Sequence, residues 1–468
     1  MKVIIIGAGK VGYTLAESLT NENKDVTVID KYAQALQKVE DNLDVMGIKG
    51  NGVSANILLE AGVSGADLLI AVTGSDEVNM VCCLTAKKLG VGQTVARVRD
   101  PEYAYELSLI KEQLGLDFVI NPEYTAAEEI ANTLSFSSAI NVERFASGRV
   151  RVVELKVTQG MNIIGKKIKE ADKSSASSVL IGVIVRGEEV IVPHGEEVVQ
   201  ENDSIYVIGK MSRIYKFCKI YGKCPDKIRN VMIVGGGRIT YYLYKLLKDM
   251  NMNIKIIEIS RERCLELSDK LPNALVINSD GTEEDILLSE NISHMDAFVA
   301  ATGMDEHNLM SSLIAKRMGA KKIVTKISRT SYINIVRDMG LDSIIIPKLI
   351  TTNQILKYAR GTALQSLHRI VEGKVEILEF VVDDSSIFID IPLKKLNISD
   401  NTVIATIVRK NEVVVPHGND IIRKGDRIIV ITMEKNIATL RELEVVAIGG
   451  NQDERRNGIK KFGDIINI

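Results

Sequence analysis

The sequence predicts an α/β protein: two tandem Rossmann-like, doubly wound parallel-sheet domains, each followed by a small α+β module. Three observations lead there. The opening KVIIIGAGKVG joins an apolar run to Gly7, Gly9 and Gly12, the strand–turn–helix pattern that wraps a pyrophosphate. The pattern returns as NVMIVGGGRIT at 230–240, with Gly235 on Gly7, Gly237 on Gly9 and Thr240 on Gly12, an offset of 228. The 468 residues also exceed one ordinary core, a length that suggests roughly three or four domains.

Each element follows from its local pattern. Apolar runs at Val3–Ile6, Val26–Ile29, Val45–Ile48, Leu68–Val72, Thr94–Val98 and Phe118–Ile120 alternate with helical stretches such as EVNMVCCLTAKKLG. This is the rhythm of a parallel sheet covered on both faces. Near Gly148 and Gly373 the rhythm changes to period-two alternation, in RVRVVELKV and KVEILEFVV, which reads as short strands. The repeat runs through both parts. ILLEAG at 57–62 returns as ILLSEN at 286–291, AVTGSDEVNM at 71–80 as AATGMDEHNL at 300–309, and the VPHG-bearing segment 185–209 as 408–432. The expected segments are therefore 1–134 and 228–350 for the doubly wound domains, 140–222 and 366–450 for the small modules, and 451–468 for a polar tail. KSSASS at 173–178 reads as a loop and YGKCPDK at 221–227 as the linker between halves.

Composition excludes several classes. With 59 basic against 61 acidic residues, no overall field favours nucleic acid. The five cysteines have neither zinc-ligand spacing nor a dense even framework, which fits a reducing cytoplasm. Lys2 enters the first strand directly, so no cleaved leader is expected, and no apolar run approaches the roughly 18 residues of a membrane span.

The candidate site residues follow from the turn. Gly7 permits its tight geometry, Gly9 admits phosphate where a Cβ would clash, and Gly12 lets the helix pack closely on the sheet. Ala8, Lys10 and Val11 complete the loop, whose N–H groups face an anion at the helix start. Asp30 closes the second strand, where its carboxylate can accept from both ribose hydroxyls and repel a 2′-phosphate, favouring NAD(H) or another adenine nucleotide with a free 2′-OH. In the second half Glu258 keeps the acidic position, Arg238 adds a guanidinium beside Gly235 and Gly237, and β-branched Thr240 should push helix and strand apart. Arg97 and its counterpart Lys326 end the fifth strands, on the edge where ligands sit.

Other residues invite chemistry less. His194 and His417 fall in a proline-entered turn, Cys82 and Cys83 on an apolar helix, and Asp76, Glu77, Asp305, Glu306 and His307 in the first turns of helices, where acids suit the dipole. No catalytic residue and no metal ligand is assigned.

GAGKVG with Asp30, the AVTGSDEVNM segment, Arg97 and the VPHG-bearing module, all duplicated, resemble the TrkA family, peripheral subunits of Trk potassium uptake systems. The resemblance spans Met1 to about Leu443. It implies two RCK (KTN) units, each a Rossmann domain with a C-terminal regulatory module, in a cytoplasmic homo-oligomer, a tetrameric gating ring, peripheral on the inner face of the cell membrane. It further implies a membrane-embedded potassium-translocating partner, response to NAD(H) and to ATP or ADP, and a first site lined by Gly7–Val11, Asp30, Thr73, Gly74 and Arg97. The alternatives are a dehydrogenase with two Rossmann-like domains and a redox-sensing repressor. The first needs a positioned acid or base that the small modules do not offer in any evident pattern, and the second a basic helix-turn-helix.

Overall fold

The computed structural model describes residues 1–103, 111, 114–173, 179–222, 225–341, 343–361, 363–384 and 386–443. Cys224, most of the KSSASS stretch and the 451–468 tail lie outside the described residues.

Strands β1 (Lys2–Ile6), β2 (Asp25–Asp30), β3 (Met46–Lys49), β4 (Leu68–Ala71), β5 (Gln93–Arg97) and β6 (Phe118–Ile120) form a parallel sheet in the order β3-β2-β1-β4-β5-β6. The order reverses between β1 and β4, and the crevice beyond their carboxyl ends is where such sheets take ligands. Burial on both faces explains the unbroken apolar runs, since Val3, Ile4 and Ile5 are all fully enclosed. Next come β7 (Asn141–Phe145), β8 (Val150–Lys156), β9 (Leu180–Arg186), β10 (Glu189–Ile191) and β11 (Ser204–Gly209), in the order β10-β9-β11-β8-β7, with β8 through β11 pairing antiparallel.

The second half repeats both sheets. β12 (Asn230–Val234), β13 (Asn253–Glu258), β14 (Ala274–Asn278), β15 (Ala297–Ala300), β16 (Lys322–Lys326) and β17 (Ser343–Ile345) take the parallel order β14-β13-β12-β15-β16-β17. β18 (Leu364–Ile370), β19 (Val375–Val381), β20 (Thr402–Arg409), β21 (Glu412–Val414) and β22 (Arg427–Thr432) form the antiparallel β18-β19-β22-β20-β21.

Compactness sorts these sheets by kind and not by half. Among the described residues, one unit comprises Met1–Asn141 with Asp226–Ala359 and holds both parallel sheets; the other comprises Val142–Pro225 with 360–443 and holds both antiparallel ones. In the first unit the closing helices are exchanged. Helix Pro122–Leu134 buries Ala126, Ala127, Ile130, Ala131 and Leu134 in a core with Val231, Ile233, Leu243 and Leu247 of the second sheet and its first helix. In return helix Pro347–Ala359 packs on helix Lys10–Asn21, and its Tyr358 stacks on Phe118 with ring centroids 4.9 Å apart. The two exchanged helices touch where Gln354 Nε2 donates to Thr125 Oγ1 at 3.1 Å.

In the second unit the two modules share a core, with Phe145, Val150, Val152 and Ile208 packed among Val375, Ile377, Ile429 and Ile431. Contact is close enough that a Cβ on Gly182 would lie 2.3 Å from Ile431 Cδ1.

Candidate functional site

The turn after β1 is built around three glycines with three different reasons. Gly7 has φ +107°, and a Cβ there would also crowd Thr73 N at 3.1 Å. A Cβ on Gly12 would fall 1.8 Å from Gly7 O, so helix Lys10–Asn21 starts against the turn only because residue 12 lacks one. At Gly9 nothing among the described residues lies within 4 Å of such a Cβ. Gly9 is the N-cap of the helix and no side chain among the described residues caps it, which leaves first-turn N–H groups of the kind that take an anion without a side-chain partner.

Asp30 braces this loop. Its Oδ2 accepts from Ala8 N at 2.7 Å and its Oδ1 from Tyr32 N at 2.9 Å. A carboxylate has about four acceptor positions, so two remain for ribose hydroxyls. The second half reproduces the bracing: Glu258 Oε2 accepts from Gly236 N at 2.6 Å and Oε1 from Ser260 N at 2.8 Å. Gly235 again has positive φ, +101°, and Gly237 again caps an uncapped helix, Arg238–Asp249, with open space at its Cβ position. Thr240 is accommodated in full burial, its Oγ1 donating to Gly235 O at 2.5 Å. The two helix starts nevertheless share nearly the same N-cap backbone, φ −70° and ψ −171° at Gly9 against φ −72° and ψ −174° at Gly237.

Beside each glycine turn stands a polar clasp, with Thr73 N 3.1 Å from a Cβ on Gly7 and Thr302 N 2.9 Å from one on Gly235. Thr73 N and Oγ1 donate to Asn79 Oδ1 at 2.8 and 2.7 Å, Asn79 Nδ2 donates to Arg97 O at 2.8 Å, and the Arg97 guanidinium donates back to Thr73 O. Thr302, Asn308 and Lys326 repeat the clasp, with Lys326 Nζ donating to Thr302 O at 2.7 Å. Asp76 ties the next loop, accepting from Arg99 N at 2.7 Å and Asp100 N at 2.9 Å, as Asp305 does from Ser328 N and Arg329 N. The structure thus gives these helix-start acids backbone partners. A Cβ at Gly74 would meet nothing within 4 Å among the described residues, like that at Gly9.

Sequence reasoning missed Asn79, Arg99 and Glu123. The signal for Asn79 was present, because both copies of the repeat carry D-E-x-N. Glu123 had none. It opens the exchanged helix Pro122–Leu134, and its Oε2 is buried without a hydrogen-bond partner among the described residues. Burial holds its carboxyl above the usual range, against the pull of Arg99, Arg97 and Arg238. Burial lowers Arg97, whose Nε likewise has no hydrogen-bond partner among the described residues, and neighbouring Arg99 lowers it further. Lys326 is lowered by burial while feeling Asp305, Glu123 and Lys10. Cations from both halves therefore gather around one acid.

The remaining candidates are structural in their surroundings. Cys82 and Cys83 are fully enclosed, and burial pushes the Cys82 thiol up to about 12 and the Cys83 thiol higher still. Exposed His194 and His417 sit in turns, closed by Glu197 N to His194 O at 3.0 Å and Asp420 N to His417 O at 2.9 Å.

Fold and site together define a tandem Rossmann-type protein with two glycine-turn crevices and a paired α+β module. Comparison with known proteins is consistent along the chain. The TrkA-N domain model matches residues 3–122 and 231–347, and the TrkA-C domain model residues 152–222 and 377–444. The chain belongs to the TrkA family. It is similar to the Trk system potassium uptake protein TrkA homolog 1 of Methanosarcina mazei, at 37% identity over 92% of this chain and 97% of the relative. It is also similar to the Trk system potassium uptake protein TrkA of Halomonas elongata, at 33% identity over 95% and 98%. Among solved structures, the GsuK RCK domain shares the fold, with TM-score 0.61 and 17% identity over 98% of this chain and 94% of that one. The GsuK channel bound to NAD does likewise, with TM-score 0.61 over 95% and 79%.

Proposed function

We propose that the chain is the peripheral regulatory subunit of a Trk-type potassium uptake system. It binds NAD(H), and ATP or ADP, in its glycine-turn crevices, and as a tetrameric ring on the inner face of the cell membrane it gates a membrane-embedded potassium-translocating partner. The observation that carries this reading is the open, uncapped helix start at Gly9, with Asp30 presenting free acceptor positions beside it. It is supported by relatives named for potassium uptake and by a fold neighbour that is a channel bound to NAD. Among the described residues no helix is long and apolar enough to cross a membrane, which fits a gate worked from outside the bilayer.

In this reading the pyrophosphate lies over Gly7–Gly12, the ribose on Asp30, and Thr73, Gly74 and Arg97 line the opposite wall. Gly235, Gly237, Arg238 and Glu258 form the second site, where the added guanidinium suits a more highly charged nucleotide. The nucleotide is read and left intact. Inverting a 1:99 gate takes about 5.5 kcal/mol, so four sites each favouring one state by about 1.4 kcal/mol are enough.

Calorimetry and flux test this together. NADH should bind the purified chain stoichiometrically, and Asp30→Ala should uncouple potassium flux from nucleotide in vesicles holding both subunits. Sustained NADH production with a candidate substrate, or nucleotide dependence untouched by Asp30→Ala, would overturn it.

A further inference from the structure

The two small modules carry opposite charges at one aligned position. Aligning NVERFASGRVR with SLHRIVEGKVE sets Arg144 on Arg369, Gly148 on Gly373 and Arg151 on Glu376. In the second module Glu376, almost fully enclosed, holds two arginines: its Oε2 accepts from Arg360 Nη1 at 2.6 Å, and its Oε1 from Arg360 Nη2 at 2.8 Å and Arg369 Nε at 3.0 Å. A buried carboxylate between two guanidiniums is satisfied on both sides.

The first module has an arginine where that acid stands. Gly148 has φ +84°, and a Cβ there would lie 3.2 Å from Arg151 Nη1, 3.5 Å from Arg144 Nη2 and 3.6 Å from Arg144 Nε. Two guanidiniums thus converge over a residue with no side chain. Arg151 Nη1 is shielded from solvent and has no hydrogen-bond partner among the described residues. Nearby acids are engaged elsewhere, Glu143 by His368 Nδ1 at 2.8 Å and Glu379 by Ala146 N at 3.0 Å and Arg427 Nε at 2.7 Å. Arg149 is turned to Ala146 O at 3.1 Å. Burial, with Arg144 beside it, pushes Arg151 down to about 10. Arg144 is exposed, which leaves the pair open on one side.

We propose that Arg144 and Arg151, over Gly148, form a binding site for a phosphate-class oxyanion, either free or as the phosphoryl group of a small phosphomonoester. Such an anion supplies the charge that Glu376 supplies in the second module, and its several oxygens accept from both guanidiniums at once. The site is separate from the glycine-turn crevices and belongs to the other compact unit.

The test is thermal unfolding of the full chain at constant ionic strength, titrated in parallel with inorganic phosphate and with glycerol 3-phosphate. A ligand bound only by the folded state raises Tm saturably. Arg151→Gln should lose the part of that rise that belongs to this site. Arg151→Glu, which restores the second module's charge pattern, should lose it too while melting, without added anion, no lower than the unsubstituted chain. The titrant that saturates at lower concentration identifies the source of the phosphoryl group. Crystals soaked in selenate should give anomalous density over Gly148. An undiminished rise in Arg151→Gln, or selenate confined to the glycine turns, would overturn the proposal.

Discussion

Gly9 and Gly12 stand in one motif under opposite constraints. A Cβ on Gly9 meets nothing within 4 Å among the described residues and its backbone is extended, so Gly9→Ala should leave Tm unchanged while intruding where a phosphate would lie. The expected loss in dinucleotide affinity by calorimetry is about tenfold or more, about 1.4 kcal/mol. Gly12→Ala should do the reverse in order of cause: its Cβ falls 1.8 Å from Gly7 O, and setting the helix back costs ~1–3 kcal/mol of stability. A Gly9→Ala variant that melts early would show that the space is not free. Glu123 makes a prediction of different kind. Its folded pKa is raised by burial, so its contribution to stability is fully present below the ordinary carboxylate pKa and is lost as pH rises through the raised value. Glu123→Gln should therefore raise Tm at neutral pH and flatten that part of the Tm–pH curve; an unchanged profile would mean that the carboxylate is neutralised in place by the surrounding arginines.

At the scale of elements, helix Pro122–Leu134 is continuous in chain with the first sheet and energetically part of the second. Ile130, fully enclosed, packs with Val231 and Ile233. Ile130→Ala should cost ~2–5 kcal/mol, and amide exchange should quicken in β12 and β13 while β1 and β4 keep their protection. Faster exchange in β1 alone would contradict the exchange of helices. Such pairings explain what was legible in the sequence and what was not. Periodicity located Phe118–Ile120 to the residue, and erred by a residue at one or both ends of β1, β2, β3, β4 and β5, because burial ends gradually along a strand. The glycine turn and its acid were legible because their spacing is local. Asn79 could have been read from the repeated D-E-x-N. Glu123 could not, since its environment is made by Arg97, Arg99 and Arg238, the last lying more than a hundred residues away. An apolar helix face announces that something covers it but not which segment does.

At the scale of the molecule, the duplication and the helix exchange together make the first compact unit a closed pair. Each parallel sheet lends its last helix to the other and receives one back. Cut after Asn141, the first segment would expose Ala126, Ile130 and Leu134 and lack the Pro347–Ala359 cover over helix Lys10–Asn21. The nearest substitute for both is a second copy of itself, because the repeat gives β1 and helix Lys10–Asn21 the same pattern as β12 and helix Arg238–Asp249. The isolated 1–141 segment should accordingly run as a symmetric dimer by light scattering. Adding the 226–359 segment should convert it to a one-to-one pair, since that pairing restores the packing of Ile130 against Val231 and of Phe118 against Tyr358. A stable monomer at all concentrations would show that the exchanged helix folds back on its own sheet, and that the pairing of crevices around Glu123 is a product of the linker and not of the packing.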